Sequence, residues 1–275
     1  MNKTKLLLGK ISYINASPIY YGLDNGLLPD WITMTNGAPS VLNQMIKNKE
    51  LDISPVSAAF YAMNHKELMI LPDLSISCFG NVLSVILMSN YKIYELNQKK
   101  VLLSKDSATA AALIKSIFSE KNIKPLFYTK KIHDIKDVSK DTDAILVIGD
   151  TALTKPWDLY FKYKFDLGNL WYKNTNLPFV FALWVVRKSY AKKYPKIVKK
   201  TIKLFYKSRE QGFANMDTII KQGIKKLNIS KSLVREYYDL LYCNLDEQKI
   251  KSLKLFFSFL HKQNILPEKI ILDFF

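Results

Sequence analysis

A chain of 275 residues, 48% apolar and 13% aromatic, is long and apolar enough for two modest lobes or one large domain, which excludes a disordered chain. It contains no run approaching the roughly 18 uninterrupted apolar residues of a membrane helix, so no membrane insertion is expected. The net charge of +17 suggests nucleic acid, but only Arg187, Arg209 and Arg235 are arginines, and arginine's bidentate fork is what base and phosphate recognition favours. The lysines, spread over helical faces such as Lys192-Lys193 and Lys225-Lys226, are read as solvated surface that helps at most to attract an anionic metabolite.

Residues 1–10 begin basic but carry only three consecutive leucines, short of the apolar stretch of about 7–15 residues in a secretory signal. Residues 6–11 therefore predict a first buried strand, and a cytoplasmic protein is expected. A short helix follows over 18–25 and a strand over 31–35. Pro39-Ser40 then opens a helix whose apolar positions Val41, Leu42, Met45 and Ile46 keep helical spacing. A strand and turn occupy 51–56, and Ser57 is placed to cap a helix over 58–64. Strand signals recur at 68–71 and 76–88.

A second unit starts near Ser89, with a strand over 101–104, a helix capped by Ser107, and extended segments at 125–129 and 144–148. This alternation predicts an α/β fold with a mainly parallel sheet covered by helices. From Tyr190 onward, helical periodicity covers 190–212, 218–227, 232–241 and 247–263. Without a Gly/Ser linker, crossover strands suit the sequence better than tethered domains. The expected division has residues 1–88 and 181–275 in one lobe and 89–180 inserted as the other.

Open α/β sheets bind ligands beyond the carboxyl ends of their strands. Residues 11–18, 36–40, 104–109 and 148–152 fall there, each at a helix entrance with small or polar side chains. Unpaired N–H groups at such entrances attract carboxylates. Each Ser or Thr taken alone reads as a helix cap, but contributions from both lobes together describe a closing cleft for an anion. The expected ligand contacts are Ser40, Ser57, Ser107, Thr109, Gly149 and Asp150.

Other chemistries find less support. There is no Gly-rich dinucleotide fingerprint and no phosphate loop. His65, His133 and His261 lack metal-ligand spacing, and Cys78 and Cys243 form neither a metal motif nor a disulfide framework. Asp73, Asp143 and Asp150 suit caps and surfaces better than acid–base roles. No cofactor, metal or nucleic-acid partner is expected, and the oligomeric state is not legible.

The loops resemble the chorismate dehydratase family of menaquinone biosynthesis. The resemblance runs in order through residues 9–18 (GKISYINASP), 37–43 (GAPSVLN), 51–57 (LDISPVS), 80–85 (GNVLSV), 107–109 (SAT), 148–152 (IGDTA) and 177–184 (LPFVFALW). Ala16 departs from it where a small hydroxyl residue is expected, and Ser54-Pro55-Val56 lies in a variable stretch. The resemblance implies a type II periplasmic-binding-protein-like fold, with a ligand cleft between its lobes. It implies conversion of chorismate to 3-[(1-carboxyvinyl)oxy]benzoate and water, the opening step of the futalosine route. The family's active-site pair maps onto Asn15 and Ser84. Neither is a strong base at neutral pH, so the substrate's own side-chain carboxylate is expected to take the proton. Asn15 and Ser84 would orient it and assist hydroxide departure, while helix entrances near Ser40, Ser107 and Thr109 stabilise charge on the ring carboxylate. Alternatives are a non-enzymatic small-carboxylate-binding protein, a metabolite-sensing regulator, and the sibling enzyme that cleaves cyclic dehypoxanthinyl futalosine. The sibling enzyme is expected to place a histidine near the first-lobe cleft, whereas here no histidine precedes His65.

Overall fold

Two mixed β-sheets, one of six strands and one of five, organise the computed structural model, which describes residues 5–275. The basic start at residues 1–4 lies outside the described residues. The first strand, β1 (Leu6–Ile11), buries Leu6, Leu8 and Ile11 and pairs in parallel with β2 (Ile32–Gly37) and β3 (Ile53–Ser57). Between them run α1 (Ser17–Gly22), started by Pro18, and α2 (Pro39–Lys47), started by Pro39. A first-turn proline loses no helical hydrogen bond. Next come α3 (Ala58–Asn64) and the long β4 (Leu68–Cys78), which joins the signal at 68–71 to the first residues of the signal at 76–88.

The chain then leaves for the second sheet, which it enters at β5 (Val85–Ser89). That sheet is completed by β6 (Lys100–Ser104), β7 (Leu126–Lys130), β8 (Ala144–Ile148) and β9 (Tyr163–Asp166), with α4 (Ala108–Glu120) and α5 (Gly149–Thr154) between them. Its spatial order is β7-β6-β8-β5-β9. After α6 (Leu167–Thr175), β10 (Phe179–Arg187) returns to the first sheet and inserts between β3 and β4, giving the order β11-β4-β10-β3-β1-β2.

Helices α7 (Lys188–Lys193), α8 (Pro195–Ala214), α9 (Met216–Leu227) and α10 (Lys231–Asp239) follow, then the short β11 (Leu241–Tyr242) and α11 (Glu247–Lys262). The single helix predicted over 190–212 is two, because Pro195 forces Tyr194 out of helical geometry to φ −132°, ψ 52°. The mainly parallel expectation is also corrected. β1, β2 and β3 and, separately, β6, β7 and β8 pair in parallel, but every pair made by β5, β10 or β11 is antiparallel. β5 and β10, which arrive from the other sheet, enter from the opposite end.

Three sets of hydrogen bonds tie the strands and helices of this half together. The Tyr20 hydroxyl of α1 donates to the Gly9 carbonyl (2.7 Å) and accepts from Trp184 Nε1 (3.0 Å). On the far side of α1, the Leu23 N–H donates to Ser208 of α8 (3.0 Å). The buried Asp52 carboxylate accepts from the Leu7 N–H (2.9 Å) and from Arg187 Nη2 (2.5 Å), linking β1 to the end of β10.

Candidate active site

Between the carboxyl end of β1 and the strands β5 and β8 lies a cavity that opens to solvent. Asn15, Ser57, Ser84, Ser107 and Gly149 line it, set among apolar walls that include Ile76, Val82 and Phe181. The lining contains no carboxylate, imidazole, ammonium or guanidinium group. Its one titratable side chain is Tyr13, whose phenol is held protonated by burial and by the nearby carboxylates Asp106 and Asp150.

Asn15 occupies a single tight turn, Ile14–Ala16, between β1 and α1. That turn is fixed from two sides. The Ile14 N–H donates to Asp150 (3.2 Å), and the Ile14 carbonyl accepts from the Tyr238 hydroxyl of α10 (3.0 Å). The Asn15 Oδ1 atom is buried without a hydrogen-bond partner. A buried acceptor left unpaired costs about 1–3 kcal/mol, so this atom marks a place where a donor belongs.

Ser84 closes the crossing from β4 to β5. The Asp166 carboxylate shapes this segment by accepting from the N–H groups of Val82 (2.9 Å) and Leu83 (2.7 Å), with Leu83 at φ 60°. Burial raises the Asp166 pKa, and those N–H groups pull it back. The Ser84 carbonyl accepts from the Gly149 N–H (2.7 Å), and Ser84 Oγ accepts from the Tyr237 hydroxyl (2.9 Å). Gly149 itself sits at φ 62° against the Tyr13 ring. A Cβ there would come within 2.7 Å of Tyr13 Cε2, so only glycine lets the ring pack this close.

Ser57 precedes α3, yet its hydroxyl makes no cap bond. The Ala59 N–H goes instead to Thr109 Oγ1 (2.8 Å), which leaves Ser57 Oγ buried and unpartnered in the cavity wall. Ser107 does cap α4, accepting from the Ala110 N–H at 3.0 Å.

Ser40, Thr109 and Asp150 are not in the cavity lining, although each was expected to touch the ligand. Their side chains join the halves built on the two sheets. Ser40 Oγ donates to Asp106 Oδ1 (3.2 Å), Thr109 accepts from Ala59, and Asp150 accepts from Ile14 with Lys226 Nζ at 3.7 Å. Burial raises the Asp150 pKa, against the opposing effects of Lys226 and the Ile14 N–H. Sequence reasoning missed Tyr13, Lys226, Tyr237 and Tyr238. The tyrosine pair had one legible signal, two adjacent phenols inside a helix pattern otherwise rich in charge. Among the described residues, no group of three or more His, Cys, Asp or Glu could hold a metal ion.

Two sheets joined by crossover strands, with a cavity fed by both, define the periplasmic-binding-protein-like class. Protein AF1704 from Archaeoglobus fulgidus superposes with a TM-score of 0.76 at 16% identity, over 96% of this chain and 100% of that one. The alkanesulfonate-binding protein SsuA from Xanthomonas axonopodis pv. citri, bound to MOPS, gives 0.73 at 13% identity over 98% and 96%. At such identities the likeness is one of fold. The family described as Menaquinone biosynthesis matches residues 6–262, and the chain belongs to it. The chain is also similar to the chorismate dehydratase of Thermus thermophilus, 27% identical over 265 residues (91% of this chain, 93% of the relative). With the chorismate dehydratase of Campylobacter jejuni it shares 30% identity over 203 residues, 70% of this chain and 74% of that protein. The chain is accordingly an enzyme with a small-molecule site.

Proposed function

We propose that this enzyme is a hydro-lyase that converts chorismate to 3-[(1-carboxyvinyl)oxy]benzoate and water. The observation that carries this reading is the lining itself, which offers hydrogen-bonding groups, two of them unpartnered, and no side chain able to act as a base near neutral pH. Such a site suits a substrate that brings its own base.

The reaction balances within the substrate. The enolpyruvyl carboxylate removes the proton from the ether-bearing ring carbon, and the electron pair runs through the ring diene toward the ring carboxylate. Loss of the neighbouring hydroxyl then makes the ring aromatic, and the proton first taken by the carboxylate leaves with that hydroxyl as water. Holding base and C–H bond together is the main contribution of the protein, and orientation of this kind supplies several kcal/mol. Asn15 orients the side chain, and Ser84 donates to the departing oxygen. The entrances of α2 and α4 reach the cavity wall at Pro39 and Ser107, where the positive ends of the helix dipoles favour the ring carboxylate. Ser57 and the Gly149 backbone complete the contacts, and Asp150 acts from behind by fixing the Asn15 turn.

The two sheets act as lobes, with residues 79–84 and 167–178 as the crossings between them. The reading places the reaction in the cytoplasm, whose reducing conditions suit two buried free thiols. Incubation with chorismate and chromatographic detection of the aromatic enol ether tests the assignment. Turnover should fall about 100-fold or more in Asn15→Ala and in Ser84→Ala, without loss of fold. Binding without turnover by the wild type would mean a carboxylate receptor instead. Turnover of cyclic dehypoxanthinyl futalosine alone would mean the sibling activity.

A further inference from the structure

We infer that Tyr237 is a positioning residue of this site, one that occupies a lone pair of Ser84 and so directs the Ser84 hydroxyl hydrogen into the cavity. The inference rests on the dehydratase reading above and names a group from the C-terminal helices.

Tyr237 lies on α10, wholly buried, with its hydroxyl 2.9 Å from Ser84 Oγ, although the two residues are 153 positions apart in sequence. Its neighbour Tyr238 holds the Ile14 carbonyl at 3.0 Å, so two consecutive residues of one helix hold the two expected catalytic segments, Tyr237 at Ser84 and Tyr238 at the Asn15 turn.

Counting hydrogens gives this contact a direction. A phenol has one hydrogen, and here it goes to Ser84. The Ser84 hydroxyl hydrogen is then free for a ligand, whereas the reverse direction would spend it on Tyr237. The pair therefore runs from the Tyr237 hydroxyl to the Ser84 hydroxyl and ends in the cavity, beside the buried and unpartnered Asn15 Oδ1. Each bond in such a chain polarises the next in a medium of low dielectric constant. The cavity receives one aimed donor, Ser84 O–H, and one aimed acceptor, Asn15 Oδ1. Burial also keeps the Tyr237 phenol protonated far above neutral pH, so it stays a donor throughout the working range.

The test is Tyr237→Phe, which removes the hydroxyl and keeps the ring, studied alone and combined with Ser84→Ala. With chorismate, kcat should fall about 10- to 100-fold while KM changes by less than about threefold, the pattern of a bond that matters in the transition state. In the Ser84→Ala background the same change should cost less than about twofold, because the hydroxyl no longer has Ser84 to act on. A wild-type kcat in Tyr237→Phe, or losses that multiply in the double variant, overturns the inference. Should Tyr237→Phe fold poorly, the carbon-13 resonance of Tyr237 Cζ gives a readout that needs no turnover. It should shift when Ser84 is replaced by alanine, and an unmoved resonance overturns the assignment. Absence of turnover in the wild type would instead defeat the dehydratase reading, which the resonance does not address.

Discussion

Replacing Gly149 by alanine strains the cavity in two separable ways. At φ 62° the alanine backbone is left-handed, which costs about 1–2 kcal/mol for a residue with a Cβ. The new methyl would also sit 2.7 Å, 2.8 Å and 3.0 Å from three carbons of the Tyr13 ring, so the ring must retreat by about 1 Å to reach ordinary contact. Such overpacking costs about 1–3 kcal/mol. Tyr13 belongs to the loop after β1 and Gly149 to the end of β8, so separating the two sheets relieves the clash while leaving the backbone strain in place. The backbone part should appear as a loss of stability, lowering Tm by about 2–8 °C. The clash should appear as weaker substrate binding, with KM raised about 5- to 100-fold. Gly26→Ala is the matched control, with φ 99° and open space where its Cβ would go. It should lower Tm and leave KM alone. Thermal melts and steady-state kinetics on both variants decide the matter. An unchanged KM in Gly149→Ala, or an equal rise in Gly26→Ala, would refute the reasoning.

Three further expectations follow from the contacts around the cavity. Thr109→Val strips the buried Ala59 N–H of its acceptor and should cost about 1–3 kcal/mol in urea unfolding, with Thr109→Ser restoring most of it; a Val variant as stable as the wild type would remove the bond from consideration. Burial pushes the Cys243 thiol up to about 12 and the Cys78 thiol well above its usual value, so iodoacetamide at a pH of about 8 should label neither in the native protein and both after denaturation. Rapid native labelling would contradict the packing. Burial raises the Asp150 pKa above 3.8, so its contribution to stability is greatest below that value and declines as pH rises through the folded-state value. Asp150→Asn, uncharged throughout, should therefore gain on the wild type as pH rises above the usual carboxylate range, and a stability difference that is flat with pH would count against this.

Most of the first half was legible because its strands and helices are local. The apolar runs at 6–11 and 144–148 coincide with β1 and β8, and Pro39 and Ser107 mark real helix starts. Sheet membership was less legible. β5 and β10 are apolar runs like any other, and their antiparallel pairing is set by partners far away in sequence. The site followed the same division. Asn15, Ser57, Ser107 and Gly149 could be found at strand ends, Ser84 came only from the family resemblance, and all five line the cavity. Ser40, Thr109 and Asp150 sit in equally suggestive loops, but their hydrogen-bonding capacity is spent across the two halves. Whether a side chain faces the ligand or the opposite half depends on how the sheets meet, and one chain segment carries no record of that. Tyr237 was hidden for the same reason, since nothing local to α10 tells which loop its hydroxyl will reach.

The insertion of β10 between β3 and β4 has a consequence for biosynthesis. When β4 has left the ribosome, the slot beside β3 is still empty, and the strand that fills it lies about a hundred residues further on. At common translation speeds that delay is about 5–20 s. The five strands of the second sheet are all made within this interval, so the half encoded second can finish first. Until Phe179–Arg187 arrives, β3 and β4 each present an open, apolar edge. A nascent chain stalled before residue 179 should therefore be a good chaperone client, and one stalled after β10 has emerged a poor one.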